Sequence, residues 1–174
     1  VGADARANVK LLLTRGASVA TRDDEGFTAM NAAAELGYLD IAAILIAAGA
    51  DPNAPSNDGR TSLHSAAQQG HEAVVTLLLA KGAVVDMREH NDATPLHSAA
   101  LENRTAVALR LLDAGADIEA RMKNGMTPLH AAAYNGSADV VKLLLERHAE
   151  TSATDATGRT PLDCAMQRGN SATV

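Results

Sequence analysis

Five threonines, Thr28, Thr61, Thr94, Thr127 and Thr160, stand 33 residues apart, and this period constrains the fold more than any other feature of the chain. Two residues after each come Met30, Leu63, Leu96, Leu129 and Leu162, and three further on lie Ala33, Ala66, Ala99, Ala132 and Ala165. A leucine column, Leu12, Leu45, Leu78, Leu111 and Leu144, keeps the same spacing. Several columns in register at one such period mark a repeat architecture, in which each unit is one supersecondary element and its neighbours complete its core.

Each unit reads as two short helices. In Thr94-Pro95-Leu96-His97 the threonine is placed to cap the first helix, and proline suits a first turn whose N–H has no helical partner anyway. That helix is expected to stop near Gly37, Gly70, Asn103 and Gly136, residues that accept the left-handed conformation of a helix end. A second helix follows, as in residues 74–79, and closes at Gly82-Ala83. The next stretch, for example residues 51–60, collects Pro, Asn, Asp and Gly and reads as an extended turn. Helices of about seven to ten residues are marginal alone. Each must bury its apolar side against the next unit, so the expected fold is an all-α solenoid. The composition agrees: 47% of residues are hydrophobic but only 2% aromatic, which suits thin, closely packed helices of Ala and Leu better than one thick core.

The segments Thr94-Pro95-Leu96-His97-Ser98-Ala99 and Thr127-Pro128-Leu129-His130-Ala131-Ala132 resemble the TPLHxA signature of ankyrin repeats. Ala114-Gly115-Ala116-Asp117 resembles the GAD element of that family, and Asp51-Pro52-Asn53-Ala54 its DxNA element. The resemblance covers nearly the whole chain. It implies L-shaped units with a β-hairpin loop projecting from the base of the paired helices. On this register one domain spans 1–174, with full repeats at 23–55, 56–88, 89–121 and 122–154 and partial repeats at 1–22 and 155–174. Neither end shows a polar cap, so the expectation is a piece of a longer ankyrin array. Departures from the pattern are natural-looking rather than those of an idealised consensus. Asp92 replaces the glycine found at Gly26, Gly59, Gly125 and Gly158, and His148 that found at Gly16, Gly49, Gly82 and Gly115. Asp163 takes the place of the signature histidine, and Thr28-Ala29-Met30-Asn31 keeps only the threonine.

No arrangement of residues points to catalysis, a cofactor or a metal. His64, His97 and His130 occupy equivalent positions, but metal donors must lie within about 4 Å of one another. Helices in neighbouring repeats pack about 8–10 Å apart, which spreads the ladder too far to chelate. The resemblance implies instead that this histidine bonds near the signature threonine and ties repeats together. Cys164 falls in the column of Ala32, Ser65, Ser98 and Ala131, small packing residues, with no orienting group or anion loop beside it. No GxxxxGK[ST] or HExxH motif occurs. Asn103-Arg104-Thr105 and Asn135-Gly136-Ser137 form glycosylation sequons that an intracellular setting would leave inert. Asn53 resembles the ankyrin asparagines that are hydroxylated in animal cells, although an asparagine bonding its own turn explains it more simply.

The charge balance, 15 Lys and Arg against 21 Asp and Glu for a net −6, argues against nucleic acid as a partner, since that needs a basic face. A single cysteine and the absence of any CxxC pair fit a reducing compartment, so the expected location is intracellular, in cytoplasm or nucleus. The longest apolar run, residues 41–48, is far too short to span a bilayer. No small-molecule substrate is expected.

Ankyrin arrays are overwhelmingly protein-binding modules, so the expected function is protein–protein interaction, not enzymatic turnover. The resemblance places recognition on the concave side, formed by the hairpin tips and the exposed face of each first helix. By register the candidate contacts are Phe27, Leu36, Arg60, Arg88, His90, Leu101, Arg121, Lys123, Met126 and Tyr134. Leu101 and Tyr134 share one helix column, near Met126 and Ala93, and form the candidate anchor, although scattered surface apolarity explains them more simply. Arg88, Arg121 and Lys123 border this patch and could steer an acidic segment, but with Glu89 and Glu102 close by a solvated, mixed-charge face is the simpler account of the arginines. Phe27 and Leu36 make a smaller cluster of the same kind. The runner-up expectation is a regulatory segment that docks onto its own parent enzyme or channel.

Overall fold

The computed structural model describes residues 3–167, so residues 1–2 and 168–174 of the two expected partial repeats lie outside it. Among the described residues the chain forms helices α1 (Ala3–Thr14), α2 (Ala29–Glu35), α3 (Leu39–Ala47), α4 (Ser62–Gln69) and α5 (Glu72–Ala80). They continue as α6 (Pro95–Leu101), α7 (Thr105–Asp113), α8 (Pro128–Asn135), α9 (Ala138–Glu146) and α10 (Pro161–Gln167). Even-numbered helices stack in one layer and odd-numbered helices in another. Within a repeat α2 packs on α3, α4 on α5, α6 on α7 and α8 on α9, and the equivalent helices of adjacent repeats pack on one another from α2 through α10 and from α1 through α9. The result is an all-α repeat solenoid.

The first-layer helices start where a capping box forms. Thr28, Thr61, Thr94 and Thr127 take extended backbone angles, and each exchanges bonds with the third residue of its helix, Asn31, His64, His97 or His130. Asp163 does the same for α10, accepting from the N–H and hydroxyl of Thr160 at 2.8 and 2.7 Å. Thus the departure from histidine preserves the cap and changes only what the side chain does beyond it.

Packing follows the columns. Met30, Leu63, Leu96 and Leu129 are buried in the first layer, Leu45, Leu78, Leu111 and Leu144 in the second. Burying a leucine fully contributes roughly 1.5–3 kcal/mol, so the columns supply most of the cohesion between repeats. The outermost members differ: Leu12 is 60% exposed and Leu162 51%, because no described helix packs beyond them.

Turns end the elements where the backbone turns left-handed. His148 has φ 65° in the column whose glycines, Gly16, Gly49, Gly82 and Gly115, lie at 86–90°, and Asp92 has φ 63° beside glycines at 79–84°. Both departures therefore occupy a conformation that costs an L-residue about 1 kcal/mol or more. The projecting loops are tight turns rather than developed hairpins. In each, an N–H bonds the carbonyl four residues on, as in Asp23 to Phe27, Ser56 to Arg60 and Glu89 to Ala93. One isolated antiparallel bridge, Arg22 with Thr28, is the strand-like pairing among the described residues.

Candidate binding surface

Three ladders of side chains run along the stack and bond each repeat to the next. In the first, the Nδ1 atoms of His64, His97 and His130 lie 3.2 Å from the backbone N–H of Thr61, Thr94 and Thr127, which makes Nδ1 the acceptor. Nε2 then carries the proton and donates to the carbonyls of Ala93, Met126 and Arg159 at 3.2, 3.2 and 3.0 Å. Each imidazole thus clamps its own helix start to a residue 29 positions on, at the base of the next turn. Burial pushes the pKa of His64 and His97 down to about 4 and lowers that of His130, so all three are neutral clamps at pH 7. Asn31 caps Thr28 in the same way, but its shorter side chain leaves Nδ2 buried and without a partner among the described residues.

A second ladder uses arginine. Arg22 Nη1 donates to the Pro55 carbonyl at 2.6 Å, Arg88 to that of Arg121 at 2.8 Å and Arg121 to that of Thr154 at 2.8 Å, each bond spanning 33 residues. A third lies past the second helices. Asn53 Oδ1 accepts from Val84 N–H, the Asp86 carboxylate from Asp117 N–H and Glu119 Oε1 from Glu150 N–H. Asn53 also donates through Nδ2 to the Gly82 carbonyl at 2.9 Å, so its whole amide group bridges two repeats. Successive turns are joined directly by backbone bonds as well, Asn57 N–H to Glu25, His90 to Asp58, Lys123 to Asn91 and Ala156 to Asn124.

Between the turns and the first-layer helices runs a groove of about 850 Å³, at the end of the stack formed by the turns at 23–27 and 56–60 with α2 and α4. Ala29, Ala32 and Ser65 line it with little side-chain bulk, and Phe27, Glu25, Glu35, Arg60 and Gln68 surround them. Arg60 Nη2 is held by Gln68 Oε1 at 2.6 Å. Burial opposes ionisation of Asp58, but the bonds from the Ser56 hydroxyl and the Arg60 N–H outweigh it and hold the carboxyl below its usual value.

A family model described as ankyrin repeats (3 copies) matches residues 3–56 and 48–122, and one described as ankyrin repeats (many copies) matches residues 111–165. The chain belongs to the ankyrin repeat family. No curated protein matches its sequence. Ankyrin repeats are in general protein–protein interaction modules and typically non-catalytic. Among the described residues of this ankyrin stack, no helix is long and apolar enough to cross a membrane.

The ankyrin stack distributes the sequence-derived candidates unevenly. Phe27 is half-buried and lines the groove with Arg60, whereas Leu36, 57% exposed, lies outside the lining. Leu101 and Met126 are half-buried and pack against the core, and Ala93, expected at the surface, is buried. The carbonyls of Ala93 and Met126 receive histidine Nε2, which explains why that column is drawn inward. Tyr134 is half-buried, and His90 and Lys123 are exposed. Arg88 and Arg121 are exposed but committed to the turn ladder, which the recurrence of arginine in that column could have signalled. What sequence reasoning missed is the groove itself. It is produced by small residues at Ala29, Ala32 and Ser65, none of which stands out in the sequence.

The remaining polar candidates are accounted for locally. Asn103 bonds Asp139 and the Val140 N–H, and Asn135 donates to the Leu101 carbonyl. Cys164 is fully buried, and burial pushes its thiol pKa up, which suits a packing residue.

Proposed function

We propose that the chain binds a partner protein across its concave face, where the turn tips and the exposed side of the first-layer helices meet. The observation that carries this reading is the groove along the first two turns, a concavity bordered by side chains that the scaffold leaves exposed. The candidate contacts are Phe27, Leu36, Arg60, His90, Leu101, Lys123, Met126 and Tyr134. Arg88 and Arg121 contribute by holding adjacent turns at a fixed spacing, because their guanidinium groups are already engaged with carbonyls. A rigid, laddered surface favours binding without reorganisation, which lowers the entropic cost of association.

The test is capture of partners from the native host on immobilised wild-type chain, compared with Phe27→Ala/Tyr134→Ala and with Lys142→Ala on α9 in the opposite layer. The expected result is a specific partner kept by wild type and Lys142→Ala and lost by the double variant, with all three proteins folded by circular dichroism. A partner lost on Lys142→Ala but retained by the double variant would put recognition on the other face.

A further inference from the structure

We infer that the groove beside Phe27 receives a basic peptide segment, with an arginine of the partner lying over the phenyl ring and its guanidinium reaching Glu25 and Glu35. This rests on the concave-face reading above and specifies the chemistry of what that face holds.

The argument begins with which charges in the groove are already used. Its lining carries four carboxylates, Asp23, Glu25, Glu35 and Asp58, against two guanidinium groups, Arg22 and Arg60. Both arginines are anchored, one on the Pro55 carbonyl and the other on Gln68. Asp23 Oδ1 accepts from the N–H groups of Glu25 and Phe27 at 3.1 and 2.8 Å, and Asp58 is occupied by Ser56 and the Arg60 N–H. Glu25 and Glu35 remain. Both are exposed, and neither carboxylate has a bonding partner among the described residues.

Two unpaired carboxylates lining the same groove as a half-buried aromatic ring form a complementary site for a cation with an apolar body. Arginine fits better than lysine, because its planar fork stacks on a ring while bonding carboxylates through several N–H groups. The small residues Ala29, Ala32 and Ser65 leave room for the aliphatic stem and the peptide backbone. Further along the face the turn at 121–126 carries Arg121 and Lys123 and no carboxylate, which disfavours a basic segment there and directs it to the Phe27 end.

The experiment selects binders from a random twelve-residue peptide display library on the immobilised chain. The enriched peptides, made with a fluorescein label, are then titrated by anisotropy against wild type, Glu25→Gln/Glu35→Gln, Phe27→Ala and Lys142→Ala. The expected outcome is enrichment in arginine and affinity weakened by about tenfold or more on the first two variants, little changed on Lys142→Ala, and weaker at higher salt. The glutamine pair changes exposed residues only, so it serves even if Phe27→Ala unfolds. Enriched peptides lacking basic residues, or binding the glutamine pair as tightly as wild type, would overturn the inference and leave concave-face binding standing. No enrichment over the bare support would overturn it too, with the partner-capture experiment then deciding the broader reading separately.

Discussion

Lowering the pH from 7.5 to 5.0 should destabilise the stack by about 4 kcal/mol through two buried histidines. His64 and His97 have pKa values pushed from 6.5 to about 4 by burial. Below 6.5 the unfolded chain takes up protons that the folded chain refuses. Stability is therefore complete above that pH and is lost as pH falls towards 4. At pH 5.0 linkage gives about 2 kcal/mol for each ring, and His130, shifted in the same direction, adds to the loss. The carboxylates sort out by window. Asp58, Asp155 and Asp163, all lowered, lose their contribution only below about pH 4. Glu89 and Asp86, raised by burial, act in the opposite sense and partly offset the histidines near the bottom of the range.

The assay is urea unfolding at the two pH values, with the same series on His97→Asn. That variant copies the residue at Asn31, keeps the cap and loses the clamp to the Met126 carbonyl. It should be less stable at pH 7.5, yet lose about 2 kcal/mol less than wild type on acidification, because one titrating ring is gone. A wild-type loss under about 1 kcal/mol, or an identical loss in His97→Asn, would refute the claim that these rings are held neutral by burial.

Other substitutions probe the remaining parts of the scaffold. Asn31→His should stabilise by about 1 kcal/mol in urea unfolding, since its Nε2 would reach the Arg60 carbonyl in the way His64 reaches that of Ala93 and no buried amide would be left unpaired. His148→Gly should raise the unfolding free energy by up to about 1 kcal/mol, because the side chain is exposed, makes no bond among the described residues, and sits at φ 65°. Within α7, Leu111→Ala should cost about 2–5 kcal/mol and Leu109→Ala under about 1, the first leucine being fully buried and the second 36% exposed; equal midpoint shifts would contradict the assigned helix face.

The scaffold was legible because its chemistry repeats with the chain. A threonine that caps a helix and a leucine that fills a layer have to recur every 33 residues, and the glycine columns mark Asp92 and His148 as departures, both of which lie at positive φ. The surface was less legible because single positions serve two roles. In the column Phe27, Arg60, Ala93, Met126 and Arg159, three carbonyls receive histidine clamps, which fixes the backbone while the side chain varies. Reading that column as wholly exposed misplaces Ala93 and half of Met126, while treating it as wholly structural would miss Phe27. The arginine column shows the converse. Arg88 and Arg121 look like free charge in sequence, yet the carbonyl one repeat on is the nearest acceptor, and a period equal to the span of the bond conceals the pairing. Free recognition chemistry in such a stack is therefore found by subtraction, residue by residue, once each ladder has claimed its atoms. Glu25, Glu35 and Phe27 are what remain in the groove beside the first two turns, and on the proposed reading the opposing charge comes from the partner.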